Sequence, residues 1–397
     1  MIGTLLLYNF VLLSSTFFVW LSEKNKDNTT KYVYLYIAFL SVFFLSAFRY
    51  GIGKDYFNYL DIFIDISQNG KDFNYDGRIE IGYLWLNQLI SFLGLSYDSL
   101  VIVVSFIFTL FIFLSYPKKN KAVFHFFIFG VYFFVSFNLL RNSIAFAISL
   151  FAIMNFYFYN KNLKYFFFIL VSSLFHISSL ILIPFILINK ELSKFIFSKK
   201  ITLLTLVIIA FIFRNQVTEI ILMSPALSLF GYDSYATKQY YLNNAALGTG
   251  LGVLIKALFV FSPILISDKE SRKTNPNDSR FLIFLLAYVF VYIFSISIEI
   301  FSRLEKIFYF AYPLAAILIM SNLRFFRYRK LVVLLMGFIV LIDYNRYIIN
   351  SSTDYMVTCH GGRISPYVSI FNKEDSKRII EYTWHIDACE KAQDRNL

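Results

Sequence analysis

Charged residues are scarce in this sequence of 397 residues, where Asp, Glu, Lys and Arg together make up 16%, against about 25% in soluble domains. Hydrophobic residues account for 58%. Apolar runs near the roughly 20 residues that cross a bilayer recur along almost the whole chain. This composition excludes a soluble enzyme, an enzyme held by a single anchor and a nucleic-acid-binding protein. It predicts an all-α polytopic membrane protein.

Cysteine and histidine are scarce too, at two and four residues. The histidines are scattered, with no pair at the spacing of metal ligands, so we expect no metal site and no cofactor. Both cysteines, Cys359 and Cys389, lie in the C-terminal tail. Two interpretations stay open for them: a disulfide bridge in an oxidising compartment, and two unpaired thiols.

Short connections rich in lysine and arginine indicate the cytoplasmic side of a membrane. Six such connections lie at residues 24–31, 118–121, 161–164, 190–200, 269–280 and 324–330. They all face one side only if residues 165–188 fold back near His176 as two short helices. With that fold-back, the sequence predicts about twelve membrane segments and places both termini outside.

The same topology places three longer polar segments outside, at residues 49–80, 214–248 and 349–397. We therefore divide the chain into a membrane domain, residues 1–348, and an extracytoplasmic tail, residues 349–397. The apolar run at residues 81–94 is short for a span. It predicts an interfacial or re-entrant helix.

Four ionisable residues lie at or beside the outer ends of apolar runs: Arg49, Arg141, His176 and Arg303. A charged side chain near the centre of a membrane helix costs about 2.5 to 3.5 kcal/mol on insertion scales, so such positions are candidates for function. Guanidinium groups bind phosphate oxygens in a bidentate manner and stay charged. The arginines therefore predict a site for an anionic group at the outer face. Snorkelling toward lipid headgroups is the alternative for each arginine, and a histidine satisfied within a helix bend is the alternative for His176.

The first external segment contains two candidate proton acceptors. It opens with RYGIGKDY at residues 49–56 and closes with EIGY at residues 80–83. Glycine permits a tight turn that brings Asp55 toward Arg49, and Glu80 opens the next helix, where a carboxylate is favoured. A carboxylate beside a bound pyrophosphate can take the proton of an attacking hydroxyl. A surface ion pair for Asp55 and a helix N-terminal charge for Glu80 are the alternatives.

Tyrosines of the external segments suit sugar binding. Tyr59 follows the first loop, and Tyr235 and Tyr240 lie in a segment at residues 230–244 that also contains Asp, Lys and Asn. Aromatic rings can stack on sugar faces while polar groups bond to the sugar hydroxyls. An aromatic belt at the membrane interface explains the same pattern equally well.

The order and spacing of several segments resemble the EpsG/Wzy group of bacterial polysaccharide polymerases. These segments are RYGIGKDYFNY from residue 49, EIGY from 80, LRNSIA from 140, FHISS from 175, and Arg303 followed by Tyr309-Phe310. The resemblance extends from about residue 45 to about residue 315 and leaves the tail outside it. It implies a GT-C-like helical bundle of about twelve membrane segments.

The resemblance implies a glycosyltransferase-type polymerase of the bacterial inner membrane, active on the periplasmic face. Such an enzyme transfers a glycan from undecaprenyl pyrophosphate to the sugar of a second lipid-linked molecule and builds O-antigen of lipopolysaccharide, or capsule. It needs no nucleotide, because the pyrophosphate is the leaving group. The expected partners are the lipid-linked donor and acceptor, membrane lipid and a chain-length regulator protein.

The resemblance also assigns roles to the candidate residues. Arg141 and Arg303 would bind the pyrophosphate, and Arg49 would support them or orient Asp55. His176 would donate a hydrogen bond to phosphate or sugar. Either Asp55 or Glu80 would be the base.

A lipid-linked oligosaccharide flippase and an O-antigen ligase stay open as alternative functions. A flippase favours two related halves with charges near the midplane of the membrane, whereas this sequence has no internal repeat. A ligase differs in its acceptor, which the sequence does not disclose.

Overall fold

The computed structural model describes residues 2–69, 79–159, 161–187, 198–222, 251–266, 278–295, 299–321, 328–357, 364–371 and 373. Within these residues the chain is helical, and β pairing is limited to one isolated bridge between Arg49 and Ser369. The first helices are α1 (Ile2–Lys24), α2 (Asn28–Ala47), α3 (Tyr56–Asn69), α4 (Ile81–Phe92), α5 (Tyr97–Leu114), α6 (Lys121–Asn138), α7 (Leu140–Tyr159) and α8 (Asn162–Ser173), followed by a 3₁₀ helix (Ile177–Leu187). The later helices are α9 (Lys200–Ile212), α10 (Arg214–Leu222), α11 (Leu251–Ile266), α12 (Asp278–Ser295), α13 (Glu299–Ile307), α14 (Ala311–Ser321) and α15 (Arg329–Val357).

Six of the described helices are long and apolar enough to cross a membrane. They are α1, α2, α5, α6, α7 and the part of α15 at Arg329–Ser351. Helices α13 and α14 pass the same test together as a pair bent by 47°, which raises the number to seven if they form one span. The chain is therefore a helical polytopic membrane protein. The count of about twelve segments and the GT-C-like arrangement stay predictions.

Burial distinguishes inner from outer spans. In α7, 83% of the span is buried, whereas α1, α2 and α15 each bury 28%. The Tyr132 ring of α6 stacks on Phe146 of α7 with 3.7 Å between centroids, and the Tyr132 hydroxyl donates a hydrogen bond to Asn142 Oδ1 at 2.9 Å. The outer helices leave most of their residues exposed or only partly buried, as is expected of helices that face lipid.

The chain divides into two compact units. The first unit comprises Met1–Phe151, Phe168–Ile177 and Gly337–Leu397, and the second comprises Ala152–Phe167 and Ser178–Met336. Helix α15 continues past residue 348 to Val357, and the predicted division into a membrane domain and an extracytoplasmic tail stays a prediction. The described C-terminal residues also return to the first unit.

The C-terminal segment at residues 364–371 pairs with the chain that follows α2. The Tyr50 N–H donates a hydrogen bond to the Val368 carbonyl at 2.9 Å, and the Ile370 N–H donates to the Phe48 carbonyl at 2.9 Å. These bonds flank the bridge between Arg49 and Ser369 and fix the start of the loop at residues 49–56.

The fold-back predicted near His176 is confirmed. Helix α8 ends at Ser173, and the 3₁₀ helix begins at Ile177. A straight α-helix would separate residues 165 and 182 by about 25 Å. Instead, the Tyr165 hydroxyl donates a hydrogen bond to the Leu182 carbonyl at 2.5 Å, so the chain reverses between them.

Helix α4 confirms the short helix predicted at residues 81–94. Tyr83 and Ile90 on one side are buried in a hydrophobic cluster with residues of α3 and α5. Trp85, Leu89 and Phe92 are exposed by 57%, 53% and 87%. This apolar exposed face is consistent with a helix that lies at or in the membrane interface.

The second unit has its own aromatic core. The Tyr288 hydroxyl of α12 donates a hydrogen bond to the Tyr312 hydroxyl of α14 at 2.9 Å. Phe284 of α12 stacks on Phe185 of the 3₁₀ helix, with 4.3 Å between ring centroids. These contacts join helices that are distant in sequence.

Candidate active site

Glu80 joins two of the sequence-predicted candidates in the first unit. Its Oε2 lies 2.5 Å from Arg141 Nη1, and its Oε1 lies 2.7 Å from His176 Nδ1. The exposed fractions of the three side chains are 16% for Glu80 and 24% each for Arg141 and His176. We call these residues the Glu80–Arg141–His176 cluster. It is half-buried, so it can be reached by a ligand while its ion pair is only partly screened by water.

Three chain segments meet to form the cluster. Glu80 is the N-cap residue of α4, but its side chain makes no capping hydrogen bond and reaches the other two residues instead. Arg141 is the second residue of α7. His176 is in the turn that ends α8, where its N–H donates a hydrogen bond to the Ser172 carbonyl at 3.1 Å. Helix ends, rather than helix faces, therefore supply the polar groups.

Gly82 allows α4 to approach the turn that holds His176. The Gly82 N–H donates a hydrogen bond to the Leu174 carbonyl at 2.8 Å. A Cβ atom at position 82 would lie 2.8 Å from that carbonyl oxygen and 3.0 Å from Leu174 Cβ. Because only glycine lacks this atom, the glycine of the EIGY segment is what lets Glu80 and His176 meet.

Replacing Gly82 by alanine is expected to separate α4 from the turn at Leu174. Overpacking of this kind costs about 1 to 3 kcal/mol, so thermal unfolding in detergent should occur at a lower temperature. Gly3→Ala is the matched control, since a Cβ at Gly3 would meet nothing within 4 Å. Equal unfolding temperatures for the two variants would contradict this explanation of Gly82.

Electrostatics keep Glu80 ionised. Burial alone would raise the pKa of Glu80, but the hydrogen bond with His176 and the positive charge of Arg141 together outweigh it, and the pKa lies below its usual value. Glu80 is therefore a carboxylate at neutral pH, with each oxygen bound to a different partner.

Aromatic rings form one wall of the cluster. The Arg141 Cζ lies 5.9 Å from the centroid of the Tyr59 ring, within the range of a cation–π contact. Tyr59 in turn meets Tyr83 edge to face, with 5.6 Å between centroids. Burial raises the pKa of Tyr59, while Arg141 acts in the opposite direction. The Tyr59 hydroxyl thus stays protonated beside the guanidinium group.

The comparison with known protein families covers the residues of this cluster. The family model described as the EpsG family matches residues 32–369, which include the whole Glu80–Arg141–His176 cluster. The chain belongs to the EpsG family. A search of curated proteins and a search of solved structures found no match. Membership indicates a polysaccharide polymerase in general, and a glycosyltransferase-like enzyme.

The EpsG match is longer than the resemblance seen in the sequence. It reaches residue 369, whereas the resemblance seen in the sequence ends near residue 315 and leaves the tail outside it. The added part includes residues 364–369, which pair with the chain at Phe48 and Tyr50. That part of the tail therefore belongs to the EpsG region.

The Asp55 loop of this EpsG chain is fixed close to Tyr59. Gly53 has a φ of +111° and packs against the Phe137 carbonyl, where a Cβ atom would clash. The Lys54 N–H donates a hydrogen bond to Asn138 Oδ1 at 2.8 Å. The Asp55 carbonyl accepts a hydrogen bond from the Tyr59 N–H at 3.0 Å. Asp55 is half-buried, and its charge acts to raise the pKa of Tyr59.

Arg49 lies in a separate, closed environment. It is 1% exposed, and its Nη1 donates hydrogen bonds to the Ser46 carbonyl, to Ser46 Oγ at 3.1 Å and to Ser105 Oγ at 3.1 Å. Its Cζ lies 4.6 Å from the centroid of the Phe137 ring, and burial lowers the pKa of Arg49. These contacts anchor the end of α2 to α5. The predicted role of Arg49 in binding the substrate or in orienting Asp55 stays a prediction.

The other candidates lie either in the second unit or outside the described residues. Arg303 is an exposed residue of α13 in the second unit. The predicted convergence of Arg303 with Arg141 therefore stays a prediction. Tyr235 and Tyr240 lie outside the described residues, as do Cys359 and Cys389.

The sequence did not reveal which candidate residues of the first unit contact one another. Its patterns indicated Glu80, Arg141 and His176 one by one, but they predicted Glu80 as a base and did not pair it with either of the other two. They also left Tyr83 and Gly82 without a role. The EIGY and FHISS segments were the available signals, yet spacing along the chain does not tell which helix ends meet.

Proposed function

We propose that the protein joins oligosaccharide repeat units carried on undecaprenyl pyrophosphate into O-antigen or capsular polysaccharide, on the periplasmic face of the bacterial inner membrane. The observation that supports this most is the half-buried Glu80–Arg141–His176 cluster, in which one carboxylate contacts both a guanidinium group and an imidazole. EpsG membership supports the polymerase class. The positions of the basic connections support the periplasmic side.

The cluster has the groups that this glycosyl transfer needs. Negative charge grows on the pyrophosphate oxygen as the bond to the anomeric carbon breaks, and a prepositioned cation stabilises that charge. Arg141 is held by Glu80 and by the Tyr59 ring, so its guanidinium group needs little reorganisation to meet a phosphate. The attacking hydroxyl must also lose a proton, and the cluster offers groups that can accept one.

Purified protein in nanodiscs, supplied with lipid-linked repeat units and with no nucleotide sugar or added metal, tests the proposal. A ladder of products that differ by one repeat unit is expected. Transfer of the glycan to a different acceptor without a ladder would indicate a ligase. Movement of the lipid-linked sugar across the bilayer, without any new glycosidic bond, would indicate a flippase. Either outcome overturns the proposal.

Arg303 provides a second test, because we propose that it binds the pyrophosphate. Arg303→Ala should lower the polymerisation rate about 100-fold, the usual effect of losing one donor to a developing anion. Since Arg303 is exposed, the variant should keep its unfolding temperature. Arg346→Ala, which removes another exposed arginine, is the control. Polysaccharide chains of unchanged length in the Arg303 variant would show that Arg303 does not take part in the site.

A further inference from the structure

Glu80 is poorly suited to accept the proton of the attacking sugar hydroxyl. Both of its oxygens are occupied, one by Arg141 Nη1 at 2.5 Å and the other by His176 Nδ1 at 2.7 Å. These partners stabilise the ionised carboxylate, so its affinity for a proton is reduced. Because Glu80 is held as a stable anion, it is better suited to support another group than to accept a proton itself.

The contact with Glu80 fixes the tautomer of His176. An ionised carboxylate can only accept hydrogen bonds, so the hydrogen between Glu80 Oε1 and His176 must be on Nδ1. The neutral imidazole then has its lone pair on Nε2, on the far side of the ring from Glu80. The His176 side chain is 24% exposed, which leaves it open to a ligand.

We propose that His176 Nε2 is the base that takes the proton from the acceptor hydroxyl, and that Glu80 is a positioning residue that orients the imidazole. This inference rests on the proposed polymerase function and deepens it. It replaces both carboxylates, Asp55 and Glu80, as the predicted base. A carboxylate that orients a histidine and stabilises its protonated form is a recurrent arrangement at sites where a hydroxyl is activated.

The proposed step is balanced in atoms and electrons. The acceptor hydroxyl oxygen forms a bond to the anomeric carbon of the donor sugar, and its proton moves to His176 Nε2. The bond between the anomeric carbon and the pyrophosphate oxygen breaks, and its electron pair leaves with the pyrophosphate beside Arg141. The imidazolium that forms is stabilised by Glu80 at 2.7 Å. It then releases the proton to solvent, which restores the neutral ring.

The charged and titratable groups near the imidazole form a chain of contacts. Glu80 contacts the imidazole directly, and Arg141 contacts Glu80. Tyr59 lies beside Arg141, and Tyr83 and Asp55 act on Tyr59. A base must be unprotonated to accept a proton, so polymerisation should slow on the acid side.

The test measures polymerisation rates against pH for the purified full-length protein in nanodiscs, with lipid-linked repeat units as substrate. His176→Asn keeps an N–H group that can reach Glu80 but has no titratable nitrogen. It should reduce the rate about 10²- to 10⁴-fold, as expected on loss of a general base, and the slowing at acid pH should disappear. Arg346→Ala, at an exposed position of α15, should match the wild type.

Glu80→Gln is the second variant, and it separates a positioning role from a structural one. Loss of the carboxylate should lower kcat and leave KM nearly unchanged, because the imidazole is no longer held in its orientation while the substrate still binds. A ladder from the wild type, with the slowing at acid pH retained in His176→Asn and an unchanged kcat in Glu80→Gln, would overturn the inference while the polymerase function stands. No ladder from the wild type would overturn the proposed function itself, and the inference with it.

Discussion

Arg141→Ala is expected to abolish long-chain polysaccharide, with a rate at least about 10³-fold lower than that of the wild type. The substitution removes the cation proposed to stabilise the departing pyrophosphate, and one such donor commonly contributes 10² to 10³ in rate. It also removes the partner of Glu80 Oε2. Cells that carry the variant should accumulate single lipid-linked repeat units, which gel electrophoresis of the extracted glycolipids would reveal.

Arg141→Lys provides the matched comparison. Lysine keeps the positive charge but lacks the planar guanidinium group, which contacts Glu80 and can bind phosphate in a bidentate manner. We expect the lysine variant to recover only part of the activity. Added guanidinium should raise the rate of Arg141→Ala and leave that of the wild type unchanged. Normal chain lengths in Arg141→Ala, with comparable amounts of protein in the membrane, would contradict the role of Arg141.

Glu80→Gln is expected to reduce polymerisation about 100-fold, and Asp55→Asn less than tenfold. Glutamine has nearly the shape of glutamate, yet it cannot stabilise an imidazolium or pair with a guanidinium as an anion, so both partners of Glu80 are affected. Asp55, by contrast, acts on Tyr59, which lies beside Arg141. Rates for both variants with the same substrate preparation provide the measurement. Equal and mild losses would show that Glu80 does not organise the site.

The fold class could be read from the sequence because it depends on composition and on local patterns. A chain with 16% charged residues and repeated apolar runs has few alternatives to a helical membrane protein. The fold-back near His176 followed from the positions of lysines and arginines, and the hydrogen bond between Tyr165 and Leu182 confirms it. The short helix α4 followed from the length of its apolar run.

The pairing of distant segments could not be predicted from one sequence. Glu80 and Arg141 are 61 residues apart, and Glu80 and His176 are 96 apart. Each was recognisable as a polar group at the end of an apolar run. Which of the many helix ends come together, however, depends on how the side chains of the helices pack. Gly82 illustrates this, since its role depends on the Leu174 carbonyl, to which no sequence motif points. The pairing of residues 368–370 with residues 48–50 is a second example.

The environment of Arg49 in the structure differs from the one that its position in the sequence predicts. Its position at the end of an apolar run predicts a group that helps to bind an anion at the outer face. Instead, the side chain is 1% exposed and bonds to Ser46 and Ser105, two small polar residues on α2 and α5. A buried guanidinium group requires such partners, and nothing in the spacing of the two serines indicated that they would meet.

The central claim is that the Glu80–Arg141–His176 cluster is the place where the lipid-linked pyrophosphate is bound while sugar is transferred. A cryo-electron microscopy structure of the protein in nanodiscs with undecaprenyl pyrophosphate bound tests it directly. A phosphate oxygen within hydrogen-bond distance of the Arg141 guanidinium group, with His176 facing the space occupied by the acceptor sugar, is the expected result. A pyrophosphate bound elsewhere in the protein, away from Arg141, would contradict the claim.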